Sequence, residues 1–213
     1  GKQIQNSLGK TLAKTFANKV VFENIKPSIQ QLGQGVILPS TDGLIFPFKA
    51  VSLRAVNVKI IRVFEKNVAQ FFQKNHFNGY SEINRVGNIV FKKSIDLVSK
   101  EPIDYSKWNT FSLDLASMID VEKGAIYRVV ISFDQGQSLY QCKDNNENAN
   151  TVEYTVNDQD LRTFDLPGQY YSDINYNYSY NYWSEKDNPC KNAYYLNRNN
   201  IIATNVLASD LGI

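Results

Sequence analysis

The sequence predicts an all-β fold, a seven-stranded antiparallel sandwich of the immunoglobulin or fibronectin type with one short helix. Three observations predict it. Apolar and polar residues alternate at period two in several segments between residues 19 and 142, turn-forming stretches such as STDG and EKG separate these segments, and helical spacing occurs in one short stretch. The chain has 213 residues, 43% hydrophobic and 13% aromatic, which is enough to bury a sizeable core.

The clearest alternation lies in GAIYRVVISF, a half-buried strand with Arg128 on its polar face and Val130 as the exception. WNTFSLDL repeats the pattern, and NIVFKKSIDL, from Asn88 to Leu97, is a third candidate strand. NKVVFENI and GQGVILP supply one or two further short strands. The inward positions predict a core built from Phe111, Leu113, Leu115, Tyr127, Val129, Ile131 and Phe133 against Val56, Val58 and Ile60.

The strongest apolar stretch runs from Leu44 to Glu65 and is too long for one strand. Its small polar step at Ser52 to Ala55 predicts two antiparallel strands joined by a tight turn. Just after it, Asn67 and Gln70 have the spacing of a capping box, and Val68, Phe71 and Phe72 recur at helical spacing. We therefore expect a short crossover helix there.

Composition changes along the chain predict four parts. Residues 1–18 are a connecting segment, 19–142 the sandwich, 143–200 a polar extension or loop rich in Tyr and Asn, and 201–213 the start of a following domain that is cut short. The amino terminus has no signal-peptide core, and Gly1 is typical of a cloning remnant. We expect the chain to be a piece of a longer protein.

Two cysteines, Cys142 and Cys190, lie in loop-like sequence and not in apolar strands. An even pair in that setting favours one disulfide and an oxidising compartment; two buried free thiols are the alternative. A disulfide would pin a long loop to the sandwich.

Between the cysteines runs QYYSDINYNYSYNYWSEKDNPC, in which aromatic residues are interleaved with asparagine, serine and charged residues. One set of rings can then pack on the domain while the other meets solvent or a neighbouring module, which predicts a contact surface that includes Tyr170, Tyr171, Tyr176, Tyr178, Tyr180, Tyr182 and Trp183.

Signals of catalysis and of nucleic-acid or metal binding are weak. The 23 Lys and Arg residues nearly balance 21 Asp and Glu, so the basic footprint of a nucleic-acid binder is missing. The single histidine, His76, lies in a turn-like segment far in sequence from either cysteine, which favours a surface histidine over a zinc ligand or catalytic base. No stretch approaches the about 18 apolar residues of a membrane span. We expect no catalytic residue, cofactor or metal, and no direct contact of this fragment with nucleic acid or membrane.

Several segments, in order, resemble the bacterial branch of the alpha-2-macroglobulin family from Val36 to Ile213. They are LIFPFKAVSLRAVNVKIIRVFEKNVAQFFQKN, RVGNIVFKKSIDL, WNTFSLDLASMI, KGAIYRVVISF, SLYQC, DNPC and NVLASDLGI. The resemblance implies a macroglobulin domain, one of a string of sandwich modules in a secreted or periplasmic protein that traps proteases. In many members a thioester within Cys-x-Glu-Gln captures the attacker, but Cys142 is followed by KDNN and Cys190 by KNAY.

The resemblance therefore implies a non-catalytic structural module of an endopeptidase-trapping inhibitor. Its partners would be neighbouring macroglobulin domains and, through the full-length protein, target proteases. The expected location is the bacterial periplasm or cell surface, with a parent that is a candidate for lipid anchoring. The tyrosine cluster keeps a cell-surface adhesion or glycan-binding module open as an alternative, and a hydrolase would need a cleft with convergent carboxylates.

Overall fold

The computed structural model describes residues 7–10, 24–33, 37–39, 44–98, 102–142, 154–155 and 181–209. Within these ranges the strands form two sheets. The three-stranded sheet contains, in spatial order, β1 (Ser28–Gln31), β3 (Ile45–Val51) and β6 (Asn109–Asp114). The five-stranded sheet contains, in spatial order, β2 (Ile37–Pro39), β8 (Ile202–Ser209), β7 (Ile126–Ser132), β4 (Ala55–Val63) and β5 (Gly87–Asp96).

Helices are short and lie in the connections between strands. They are α1 (Val68–Phe72), α2 (Leu115–Met118), α3 (Tyr182–Glu185) and α4 (Asn192–Tyr195), with 3₁₀ turns at Glu65–Asn67, Ile83–Arg85, Gln135–Gln137 and Arg198–Asn200. None of the helices in the described ranges has the length and apolar character needed to cross a membrane.

The predicted fold class is confirmed. Among the described residues, seven strands pair antiparallel in two facing sheets, and β2 is added in parallel to β8 at the edge of the larger sheet. The segment GQGVILP supplies β2, as predicted. In NKVVFENI, residues 18–23 lie outside the described residues, so a strand there stays a prediction. β1 is a strand that the sequence pattern did not indicate.

The main core lies between the two sheets and confirms the predicted inward positions. Phe48 and Phe111 of the small sheet pack ring on ring, with centroids 5.9 Å apart. Leu113, Leu115 and Phe133 are buried in the same cluster, together with the predicted positions of β4 and β7, which are Val56, Val58, Ile60, Tyr127, Val129 and Ile131. The alternation of these strands therefore reports a real division between a core face and an outer face.

The outer face of the large sheet is covered as well, which corrects the prediction that β7 is half-buried. Ile61, Val63 and Ile126 form a second apolar cluster with Phe71 and Ile83, which belong to the connection between β4 and β5. Arg128, placed by sequence on an exposed polar face, is 2% exposed beneath the same connection. Its Nη1 donates to Asn205 Oδ1 at 2.9 Å, and its guanidinium lies 4.7 Å from the centroid of the Tyr80 ring. Hydrogen bonding and stacking make burial of this cation tolerable.

The hairpin predicted between Leu44 and Glu65 is wrong in its pairing, although both strands exist. β3 pairs with β1 and β6, whereas β4 pairs with β5 and β7. Ser52 has φ +56°, and Leu53 forms an isolated bridge to Ser138. The connection therefore passes from one sheet to the other. A period-two pattern shows which residues point inward but does not show which sheet a strand joins.

The segment that was expected to open a following domain does not fit that assignment. Ile202–Ser209 forms β8, whose pairing with β7 runs from Ile126 opposite Leu207 to Ile131 opposite Ile202. Val206 and Ala208 are buried in the main core. Residues 202–209 therefore belong to the sandwich, because they supply one of its inner strands and part of its core.

The predicted crossover helix is confirmed as α1, but its predicted capping box is not formed. Asn67 makes no side-chain cap bond; its Nδ2 donates to Val86 O at 3.0 Å. A capping box does form at the turn Gln135–Gln137, between Asp134 and Gln137. His76 is exposed in the loop after α1, as the sequence indicated.

Replacing Val129 with Asp should destabilise the protein by several kcal/mol, because the carboxylate would be buried between the sheets without a partner. The matched control is Thr110→Asp on the exposed side of β6, which should change stability by about 0.5 kcal/mol or less. Urea denaturation measures both. Equal midpoints for the two variants would contradict the core assignment.

Candidate contact surface

The predicted disulfide between Cys142 and Cys190 is present, with Cα atoms 5.7 Å apart and a sequence separation of 48. It lies at the end of the sandwich where β3 and β7 end and β4 and β8 begin, which we call the disulfide end. The bond joins the chain after β7 to the segment 181–200 that precedes β8. The carboxyl-terminal part of the predicted extension is therefore fastened to the sandwich.

Two buried tyrosines on α4 anchor the segment 181–200. The Tyr194 hydroxyl donates to Pro27 O at 2.7 Å, next to the start of β1. The Tyr195 hydroxyl donates to Pro189 O at 2.6 Å, and its ring meets Phe133 edge to face at 5.7 Å. These contacts attach α4 to both sheets, because Pro27 leads into the small sheet and Phe133 follows the end of β7 in the large sheet.

Polar contacts extend this anchor along the segment. Asn200 Nδ2 donates to Tyr194 O at 2.9 Å, and Lys26 Nζ donates to Asp187 O at 2.7 Å. One backbone carbonyl of α4 and one in the turn after α3 thus gain side-chain partners from elsewhere in the chain. A four-residue helix needs such help because it is too short to be stable alone.

Neighbouring rings on α3 differ sharply in their exposure. Tyr182 is 6% exposed, whereas Trp183 is 77% exposed. Their ring centroids are 5.4 Å apart in an edge-to-face arrangement, and Lys186 Nζ lies 5.5 Å from the Trp183 ring. Of the predicted contact residues, these two are described; Tyr170, Tyr171, Tyr176, Tyr178 and Tyr180 lie outside the described residues.

More large apolar side chains are exposed at the disulfide end. Val98 follows β5, Trp108 precedes β6, and Leu139 donates its backbone N–H to Ser52 O at 2.9 Å. Their exposed fractions are 76%, 47% and 42%. Trp108 and Leu139 were not among the sequence-predicted contact residues, because each is a single apolar residue in a loop and no periodicity marks it.

The described residues offer no group of three or more His, Cys, Asp or Glu side chains that could hold a metal ion. Both cysteines are consumed in the disulfide, so neither thiol can act as a nucleophile or form a thioester. What this end of the sandwich can do chemically is bury apolar and aromatic surface against a partner.

Three solved structures to which the chain is similar are of alpha-2-macroglobulin from Escherichia coli. One is a cryo-EM reconstruction of the native conformation, whose chain is 20% identical in sequence to this one. The match covers 62% of this chain and 8% of that chain, with a TM-score of 0.40. A crystal structure spanning domains MG0-NIE-MG1 is 17% identical over 62% of this chain and 42% of that one, with a TM-score of 0.39. A crystal structure spanning NIE-MG1 is 20% identical in sequence over 51% of this chain and 53% of that one, with a TM-score of 0.37.

The matches thus cover less than two thirds of the length of each of these structures. No protein-family model matches the chain, and no curated protein matches it.

Tyr195→Phe should lower stability by about 1 kcal/mol at neutral pH, because the hydrogen bond to Pro189 is lost. The substitution should also change how the free energy of unfolding depends on pH. Burial raises the pKa of Tyr195 to about 12, whereas an unfolded tyrosine titrates near about 10. The folded state holds this proton more tightly, so the contribution of Tyr195 is complete below about pH 10 and is lost as the pH rises toward 12.

Urea denaturation of both proteins at about pH 7 and about pH 11 measures this effect. The wild type should lose more stability between the two values than Tyr195→Phe does. Comparing the two proteins cancels the titration of lysines and of Tyr194, whose pKa burial also raises. Identical losses would mean that Tyr195 is not buried in the folded protein.

Proposed function

We propose that the chain is a non-catalytic structural module of a bacterial alpha-2-macroglobulin-like protease inhibitor. The ordered series of sequence segments that resembles this family supports the proposal. The two-sheet sandwich is compatible with a module whose role is to build and brace a larger assembly. The disulfide agrees with a periplasmic or cell-surface location, since such bonds persist in oxidising compartments.

The observation that carries the proposal is the disulfide end itself. A covalently fastened segment holds Trp183 out from the domain, and Val98, Trp108 and Leu139 are exposed at the same end. Exposed aromatic and aliphatic groups of this kind mark interaction sites, and Trp is enriched among residues that dominate interface energetics. In the proposed function, this end contacts a neighbouring module of the same long chain.

The module as proposed has no inhibitory chemistry of its own. Incubating the isolated chain with an endopeptidase should leave unchanged the cleavage of both a protein substrate and a small peptide substrate. The longer protein that contains it should block cleavage of the protein substrate and spare the peptide, because a cage excludes large substrates only. Stoichiometric inhibition by the isolated chain would contradict the proposal, as would the absence of inhibition by the longer protein.

Trp183→Ala tests the contact separately from inhibition. In the longer protein it should lower the stability of the coupled modules by about 2 kcal/mol, the size expected for an interface hot spot. In the isolated chain the same change should have little effect, because the side chain is already exposed. Val121→Ala, an exposed apolar residue at the opposite end, is the control and should change neither. Scanning calorimetry measures both variants in both contexts. An equal effect of Trp183→Ala in both contexts would contradict the contact.

A further inference from the structure

A cavity of about 400 Å³ lies on the outer face of the large sheet, near the disulfide end. It is bounded by the start of β4, the end of β5, the turn 134–137 and Tyr154. Its volume falls within the about 300–1,000 Å³ that small-molecule sites occupy. It is separate from the contact surface around Trp183, and the proposed function makes no use of it.

The floor of this cavity is a network of polar side chains that hydrogen-bond to one another. Gln137 Nε2 donates to Asn57 Oδ1 and to Ser94 Oγ, both at 2.6 Å, and Gln137 Oε1 accepts from the backbone N of Asp134 at 3.1 Å. Asn57 Nδ2 donates to Asp134 Oδ2 at 3.1 Å. Asn57 and Gln137 are 5% and 7% exposed. Their amide groups are thus held in one orientation before any ligand arrives, which reduces the entropic cost of binding.

The walls carry opposite charges and one aromatic ring. Arg54 and Lys93 contribute positive charges, while Asp96 and Asp134 contribute negative charges. The Tyr154 ring also lines the cavity, and Lys92 Nζ lies 5.0 Å from its centroid. A ligand would meet donors, acceptors and a flat apolar ring within one small space.

We propose that this cavity binds a sugar residue of a glycan. Sugar hydroxyls both donate and accept hydrogen bonds, so they suit carboxylates, amides and cations together, and the C–H face of a sugar ring can pack on Tyr154. The two carboxylates offset the attraction of the two cations for a phosphate group, and an apolar ligand would cover these charged groups without replacing their hydrogen bonds to water. The balanced polar lining therefore favours a neutral, polyhydroxylated ligand. The proposal does not rest on the proposed function.

Chemical-shift perturbation in the ¹⁵N-labelled full chain tests it. The probes are methyl glycosides of common hexoses and N-acetylhexosamines, titrated to about 20 mM so that millimolar dissociation constants are detected. At least one glycoside should shift the side-chain amides of Asn57 and Gln137 and the backbone amides of Lys93 to Asp96 in a saturable manner. If no glycoside does so, or if the shifts are confined to the surroundings of Trp183, the proposal is wrong.

Matched variants distinguish a ligand-binding cavity from a polar network whose only role is to stabilise the turn 134–137. Tyr154→Ala and Asp96→Asn change the walls and leave the Asn57–Gln137 network in place; each should weaken binding about tenfold. Trp183→Ala, an exposed aromatic outside the cavity, should leave binding unchanged. Inorganic phosphate and an apolar dipeptide serve as competing probes. Saturable shifts with either of these and none with glycosides would overturn the assignment to a sugar, as would full binding by both wall variants.

Discussion

The bond between Cys142 and Cys190 decides where the segment before β8 lies. That segment contains two four-residue helices and one 3₁₀ turn, none of which is long enough to be stable on its own. The disulfide fastens it at one point, and Tyr194 and Tyr195 then bury their rings and hydroxyls against the sandwich. α4 and the 3₁₀ turn lead directly into β8. The contacts that fix the segment carrying Trp183 therefore also position β8 beside β7.

The large sheet adds a second constraint, since β4 and β7 are buried on both faces. The facing sheet covers one side, and the other side is divided into two zones. The connection between β4 and β5 covers Ile61, Val63 and Ile126 at one end. At the disulfide end, Gln137 covers Asn57 of β4 and Ser94 of β5, and these polar groups hydrogen-bond to one another. The turn 134–137 therefore shapes both the cavity floor and the path of the chain toward Cys142.

Much of the sandwich could be predicted from the sequence, because Val129, Ile131, Leu113 and their partners follow a clean period of two. The pattern could not show that β3 and β4 join different sheets. Alternation shows which side chains lie on the same face of a strand, but it does not show which strand lies beside it. It also placed Arg128 in solvent, because nothing local shows that a distant connection will cover it. β8 was assigned elsewhere because its pairing partner, β7, is about 75 residues away along the chain.

For the candidate site, the loop-like setting of both cysteines was sufficient to predict their bond, but the anchoring tyrosines were missed. Tyr194 and Tyr195 are adjacent, so they show neither helical nor alternating spacing, and only tertiary contacts with Pro27 and Phe133 reveal their role. The cavity could not be predicted from the sequence for the same reason. Asn57, Ser94 and Gln137 come from three separate parts of the chain, and each alone is an ordinary polar residue.

The most direct measurement is hydrogen exchange of residues 181–200 in the oxidised protein and in a Cys142→Ser/Cys190→Ser variant. In the oxidised protein, the amides of Lys186, Lys191 and Tyr194, which donate within this segment, should be protected. In the variant their exchange should accelerate while β7 stays protected, because loss of a 48-residue cross-link removes up to about 4 kcal/mol of restraint on the unfolded chain and frees the segment first. Equal exchange of residues 181–200 in the two proteins would contradict the claim that the disulfide holds this segment on the sandwich.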